Sequence, residues 1–203
     1  FTDAKVPAKN LLYEVGKGAT IAFNALNIGR YKLGAASVGG SKLAIREAIK
    51  YALDRRQFGQ PIARFDAIIG KIADITVRTF VADTMLYRTV GMIQDAIDDL
   101  DDKDPEYYIK MGEAMERFAI EASMAKVYGS ETSDMVVDNC MQIFGGYGFI
   151  EEYSIAMAYR DDRINRIWEG TNEINRAIIS GYMMKKVLTE EISLRDILKD
   201  LDS

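Results

Sequence analysis

The chain has 203 residues, 48% of them apolar and 28% charged, with a net charge of -5 and a single cysteine. That length suffices for one substantial core, and the acidic balance gives no electrostatic reason to expect nucleic acid or an anionic membrane surface. Histidine is absent, which removes every Ser-His-Asp or Cys-His nucleophile system and the Glu-x-x-His pairs of di-iron bundles; with Cys140 as the one thiol, no metal site is expected either.

Any chemistry must therefore use carboxylates, Lys, Tyr, backbone amides or a borrowed cofactor. No apolar run approaches the roughly 18 residues needed to span a bilayer, and no secretory h-region opens the chain. Phe1 to Pro7 has the alternation of a strand end with no sheet to join. Residues 1–17 are accordingly expected to be the end of a preceding middle β-domain and a connecting loop, broken by Gly16 and Gly18.

From about Ala19 to Asp54 the 3.6 spacing predicts a first long helix, with Ile21, Ala22, Leu26, Leu33, Ala36, Leu43, Ala44 and Ala48 inward. Its small-residue patch, Gly34-Ala35-Ala36-Ser37 with Gly39-Gly40, costs helix propensity, about 1 kcal/mol per glycine. Two readings stand: close packing of a neighbouring helix, or close approach of a ligand. Arg55 to Arg64 is a break, and a second helix is expected from about Phe65 to Leu100, with Ile69, Ile72, Ala82, Leu86 and Val90 among its buried positions. The aspartate-rich stretch Asp95 to Asp104 lacks EF-hand spacing and reads as a solvated loop. Asp104-Pro105 reads as an N-cap followed by proline at the first helical position, opening a third helix to about Met141.

Gly145-Gly146-Tyr147-Gly148 ends that helix. A short helix follows, about Tyr153 to Arg160, and Thr171 starts a last one to about Val187 with Ile174, Ala177, Ile178 and Met183 inward. Residues 188–203 are an acidic, amphipathic tail, expected to be a linker or the start of a further C-terminal region. Nothing between Ala19 and Val187 reads as a sheet. The fold class is therefore all-α: an antiparallel, up-down four-helix bundle with additional short helices over residues 18–187.

Three segments break the helical pattern. Arg55-Arg56-Gln57-Phe58-Gly59 puts two cations and an aromatic at a helix end, which suits either the helix dipole or a phosphate beside an aromatic platform. Gln142 to Gly148 carries three glycines in four residues where one would stop the helix. The third is Arg160-Asp161 running through Ile167-Trp168-Glu169-Gly170-Thr171-Asn172, where free amides and a positive dipole end follow Glu169.

In this order the three segments resemble the acyl-CoA dehydrogenase family over nearly the whole chain. Tyr51-Ala52-Leu53-Asp54-Arg55-Arg56-Gln57-Phe58-Gly59 is similar to the family's Y-A-x-x-R-x-x-F-G, Gln142 to Gly148 to its Q-[IL]-x-G-G-x-G, and Ile167 to Thr171 to its I-[YFW]-E-G-T. The resemblance implies α,β-dehydrogenation of an acyl-CoA to a trans-2-enoyl-CoA. Glu169 would take the α-proton and FAD the β-hydride, with an electron-transferring flavoprotein as oxidant. It further implies that Arg55, Gln57 and Phe58 contact the FAD pyrophosphate and adenine. Gln142, Gly145 and Gly146 would meet the FAD of a neighbouring subunit, Thr171 would meet FAD at the helix start, and Asn27, Arg30 and Gly170 would line the acyl-CoA channel.

Where the family usually has Gln and F-Q, this chain has Glu173 and Phe65-Asp66. Some relatives carry their glutamate at the position of Gly29 instead. The Leu26-Asn27-Ile28-Gly29-Arg30 and Glu169-Gly170-Thr171-Asn172 strings look most like the very-long-chain branch, where that glycine would leave room for a long acyl chain. The resemblance also implies a homo-oligomer, dimer or tetramer, built through the helical domain. Its setting would be bacterial cytoplasm or mitochondrial matrix, with membrane association if a further C-terminal domain exists. An acyl-CoA oxidase using oxygen, and an oligomerisation module inactive when isolated, are the alternatives.

Overall fold

The computed structural model describes residues 1–193 and Lys199. It is all-α apart from one short hairpin. The elements run α1 Gly18–Asp54, β1 Arg56–Gln57, β2 Gln60–Pro61, α2 Asp66–Asp98, α3 Tyr107–Glu116, α4 Ala119–Phe144, α5 Gly146–Phe149, α6 Ser154–Asp162 and α7 Asn172–Leu188. Single 3-10 turns cover Ala8–Asn10, Ile62–Arg64 and Arg163–Arg166. Helix α4 is the axis of the bundle, packing on α1, α2, α6 and α7. No helix among the described residues is long and apolar enough to cross a membrane.

One core joins Ala44, Ala48 and Ala52 of α1, Ile75 of α2, Val136, Cys140 and Ile143 of α4 and Ile155 of α6. Burial of each larger aliphatic side chain there contributes about 1.5–3 kcal/mol. The Cys140 thiol is sealed in this core, and its burial pushes the pKa up to about 12, which keeps it un-ionised and inert.

The small-residue patch of α1 divides into two kinds of glycine. A Cβ on Gly34 would stand 2.9 Å from the Ala125 carbonyl oxygen, and one on Gly129 would stand 3.1 Å from the Gly34 Cα. The two glycines thus let α1 and α4 cross backbone to backbone. Gly39 and Gly40 have nothing within 4 Å of the same position. Gly34→Val is therefore expected to lower stability by about 1–3 kcal/mol, because the obstacle is backbone and cannot step aside. Gly39→Ala is expected to raise it by about 0.5–1 kcal/mol. Urea denaturation of the two variants checks the contrast; equal shifts would refute it.

Several expectations need correction. The third long helix is two helices. The Phe118 amide reaches only to the Met115 carbonyl, a 3-10 closure, and the ladder restarts when the Ala122 amide donates to Phe118. Apolar periodicity continues through such a break, so spacing alone conceals it. Asp104 does not cap a helix that begins with Pro105. Its Oδ1 accepts from the Glu106 amide, its carbonyl accepts from the Tyr107 amide, and its other carboxylate oxygen pairs with Lys110. Pro105 lies in the turn before α3.

The expectation of no strand fails at residues 56–61, where Gln57 faces Gln60 and Arg56 faces Pro61. The loop residues Phe58 (φ 51) and Gly59 (φ 82) are both left-handed, the requirement of a tight two-residue hairpin. Residues 1–7 form no strand, and Ala22, Ala36, Leu43, Ile69, Val90, Ile174, Ala177 and Met183 are exposed rather than inward. The apolar stripes are simply wider than the faces that α4 and its neighbours cover. Most of the expected tail lies outside the described residues.

Candidate active site

Glu169 and Gly170 both adopt left-handed backbone, with φ of 56 and 78. For a glutamate this costs about 1–3 kcal/mol and persists only where the surroundings over-determine it. Those surroundings are present. Asn175 is fully buried, and its Nδ2 donates to the carbonyls of Glu169, Gly170 and Thr171 at 3.3, 2.8 and 3.0 Å. Lys126 of α4, also fully buried, donates from Nζ to the Gly170 carbonyl at 2.9 Å and to Asn172 Oδ1 at 2.6 Å. Thr171 caps α7 by accepting from the Ile174 amide. The three carbonyls are thus tied to the bundle side of the turn. The Glu169 amide donates to no backbone carbonyl among the described residues.

The Glu169 side chain lies over Gly29 of α1. A Cβ at position 29 would fall 2.3 Å from Glu169 Oε2. That oxygen is buried and has no hydrogen-bond partner among the described residues. The carboxylate occupies the space that a side chain at position 29 would need. The adjacency also explains how a glutamate entering from α1 could serve the same point.

Beside Gly29, the buried side chains of Asn27 and Arg30 bond to each other, with Arg30 Nη1 donating to Asn27 Oδ1 at 2.7 Å. Burial lowers the Arg30 pKa, while the Glu169 charge and Tyr182 of α7 act the other way. Asn27, Arg30, Glu169, Gly170 and Thr171 are therefore brought to one end of the bundle.

Sequence reasoning missed Lys126, Asn172 and Asn175, because it counted apolar periodicity and these are buried polar groups. The signal present was Lys126 itself, in a run of α4 otherwise made of small and apolar residues. Burial lowers its pKa from 10.5 to about 8, partly offset by Glu173, Glu131 and Glu169. Between those two values the unfolded chain holds a proton that the folded chain does not, so this group makes stability rise as pH goes from about 8 to 10.5. The urea midpoint of the native protein minus that of Lys126→Met is expected to climb across this window. A flat difference would show that the lysine titrates normally.

The second cluster lies at the other end of α1. Arg55, Gln57, Gly145 and Gly146 line one pocket of about 440 Å³ with Tyr51, Phe144 and Tyr147. The Arg55 guanidinium sits 5.2 Å from the centroid of the Tyr147 ring, and Tyr51 stacks on Phe144 at 4.3 Å. Gly145 (φ 61) and Gly146 have nothing within 4 Å of where a Cβ would stand. Open backbone beside a cation held over an aromatic ring fits a diphosphate with its purine. Phe58, 91% exposed, and Gln142, also exposed, do not line the pocket. Gly29 and Arg55 stand about 39 Å apart along α1 at 1.5 Å per residue.

Residues 16–184 match the family described as Acyl-CoA dehydrogenase, C-terminal domain. A Bacillus subtilis (strain 168) protein named "Probable acyl-CoA dehydrogenase" is 48% identical over 191 residues, covering 94% of this chain and 32% of the relative. The rat (Rattus norvegicus) mitochondrial very long-chain specific acyl-CoA dehydrogenase is 37% identical, over 89% of this chain and 25% of that protein. The crystal structure of an acyl-CoA dehydrogenase complexed with FAD from Bacillus anthracis superposes with a TM-score of 0.91 at 48% identity, covering 94% of this chain and 33% of that one. The chain thus spans between a quarter and a third of the length of these relatives, and the very-long-chain protein stands further off than the Bacillus ones. Matched over most of its length in sequence and in fold, the chain belongs to the acyl-CoA dehydrogenase C-terminal domain family.

Proposed function

We propose that this domain serves an FAD-dependent acyl-CoA dehydrogenase in which Glu169 removes the α-proton of an acyl-CoA thioester. The observation that carries the reading is Glu169 Oε2, buried without a partner on a left-handed turn. A carboxylate kept from hydrogen bonds by its own fold is ready to accept a proton from a substrate. Removing an α-proton develops charge on the thioester oxygen, and the uncommitted Glu169 amide is a donor suited to that oxygen. When bound, FAD supplies the hydride acceptor for the β-hydrogen. Thr171, at the start of α7, would meet FAD, and Asn27, Arg30 and Gly170 would border the acyl-CoA channel.

The separation of Gly29 and Arg55, about 39 Å along α1, supports a reading in which the two clusters serve different cofactor molecules. Arg55 and Gln57 share their pocket with Gly145 and Gly146, and all four would contact the dinucleotide of a neighbouring subunit. This modifies the sequence expectation, which assigned only Gln142 and the two glycines to a neighbour. A homo-oligomer is then part of the site, and the isolated chain is expected to be catalytically silent. A long acyl group and an electron-transferring flavoprotein as oxidant are the finer readings, resting on the very-long-chain-like strings and the family resemblance.

The test is anaerobic bleaching of the flavin in the full-length protein with acyl-CoA substrates of increasing length. Bleaching that peaks at long chains is the expected result. An FAD-loaded protein that no acyl-CoA bleaches would overturn the dehydrogenase reading, and rapid peroxide formation on admitting oxygen would point to an oxidase.

A further inference from the structure

Lys126 is a fully buried cation, and the proton abstraction just described does not use it. Its side chain is fully covered, and the charged groups acting on it come from several directions: Arg30 of α1, Glu131 of α4, Glu173 of α7 and Glu169 in the turn. A methionine would fill the same space without the desolvation cost, so a bundle selected for stability alone gains nothing from an ammonium here. What the ammonium does is geometrically specific. Its bond to the Gly170 carbonyl fixes the Gly170–Thr171 peptide plane, the second after the base, while Asn172 Oδ1 fixes the ammonium in turn. Asn172 is itself held, its Nδ2 donating to Ser130 Oγ and Glu131 Oε1, each at 3.1 Å. A rigid chain of bonds therefore runs from the bundle axis to the turn that carries Glu169.

We propose that Lys126 is a positioning residue for the reaction: its bond to the Gly170 carbonyl holds the left-handed turn that sets the Glu169 carboxylate over Gly29. The inference rests on Glu169 being the base. A misplacement of that carboxylate by about 1 Å lowers the rate of proton abstraction roughly 100-fold while leaving binding surfaces intact. Asn175 holds the same carbonyl, so losing Lys126 loosens the turn without unfolding α7.

The experiment uses Lys126→Met and Lys126→Gln in the full-length, FAD-loaded protein. The Gln side chain is shorter by one atom but polar, and serves if the Met protein is too unstable. Three quantities are read: the rate of anaerobic flavin reduction, the dissociation constants of FAD and acyl-CoA, and hydrogen exchange of peptides spanning residues 167–173. The expected result is reduction slowed about 100-fold, both dissociation constants within about threefold of the native values, and exchange of the turn faster by roughly tenfold while α4 stays protected. Near-native reduction in Lys126→Met, near-native reduction in Lys126→Gln while its turn exchanges faster, or unchanged exchange of the turn in both, overturns the proposal. So does exchange that rises throughout α4 and α7, which would show a purely structural tie. Glu169→Gln, assayed alongside, separates the two ideas. If that variant is slow and the Lys126 variants are not, only the positioning role falls; if it is fast, the base assignment falls instead.

Discussion

Glu169→Gln in the full-length protein is expected to retain FAD and acyl-CoA binding while losing flavin reduction by about 10⁴-fold, the upper range for a missing general base. The substitution preserves side-chain volume, so the contact with Gly29 and the strained turn are undisturbed. It replaces the charged, proton-accepting carboxylate by an amide, which cannot take the proton. Stability is expected to hold or rise, because Oε2 already lacks a hydrogen-bond partner and a neutral amide is cheaper to bury than a carboxylate. Anaerobic rapid mixing with a saturating acyl-CoA measures the rate, and thermal melting measures the fold. A variant that reduces its flavin at a tenth of the native rate or faster would remove Glu169 from the role of base. The combination of stable fold, intact binding and lost reduction distinguishes a base from a residue that merely supports the turn.

Much of the bundle was legible in the chain because long helices announce themselves by period and by punctuation. Helix α1 begins and ends within a residue of the expected bounds, and Thr171 caps α7 as its sequence position predicts. What period could not show was a single 3-10 closure between α3 and α4, since apolar residues continue through it. Nor could it show the Arg56–Pro61 hairpin, whose Phe58-Gly59 turn places a bulky residue at positive φ where Asn or Asp would have been the readable sign.

The site divides the same way. Glu169 and Thr171 were visible in a break of the helical pattern, and Gly29 only through the family resemblance. The groups that shape the turn were not, because a buried lysine and two buried asparagines look in sequence like ordinary surface residues. Only the fold shows that three successive carbonyls converge on Asn175 and that one of them also meets Lys126. Likewise, sequence order placed Arg55 and Gly145 in separate motifs 90 residues apart, and packing of α4 against the end of α1 made them one pocket.

Gly29→Ala is expected to move stability and activity in opposite directions. On helix propensity alone, replacing an interior helical glycine by alanine stabilises by about 1 kcal/mol. The added Cβ would meet Glu169 Oε2 at 2.3 Å, Cδ at 2.6 Å and Oε1 at 2.8 Å. All three atoms belong to the free end of a flexible side chain, so α1 stays in place and the carboxylate leaves. The melting temperature is then expected to hold or rise, while flavin reduction falls about 100-fold through displacement of the base. A general packing defect would lower both, and a glycine kept only for acyl-chain room would change chain-length preference without slowing short substrates. Activity within threefold of native on every acyl-CoA would show that Glu169 does not need the place it occupies here. The complementary pair, Gly29→Glu with Glu169→Gly, brings a carboxylate to the same neighbourhood from α1. Partial recovery over Glu169→Gly alone is the outcome expected on the proposed reading, in which a base is required at that point in space, whichever backbone supplies it.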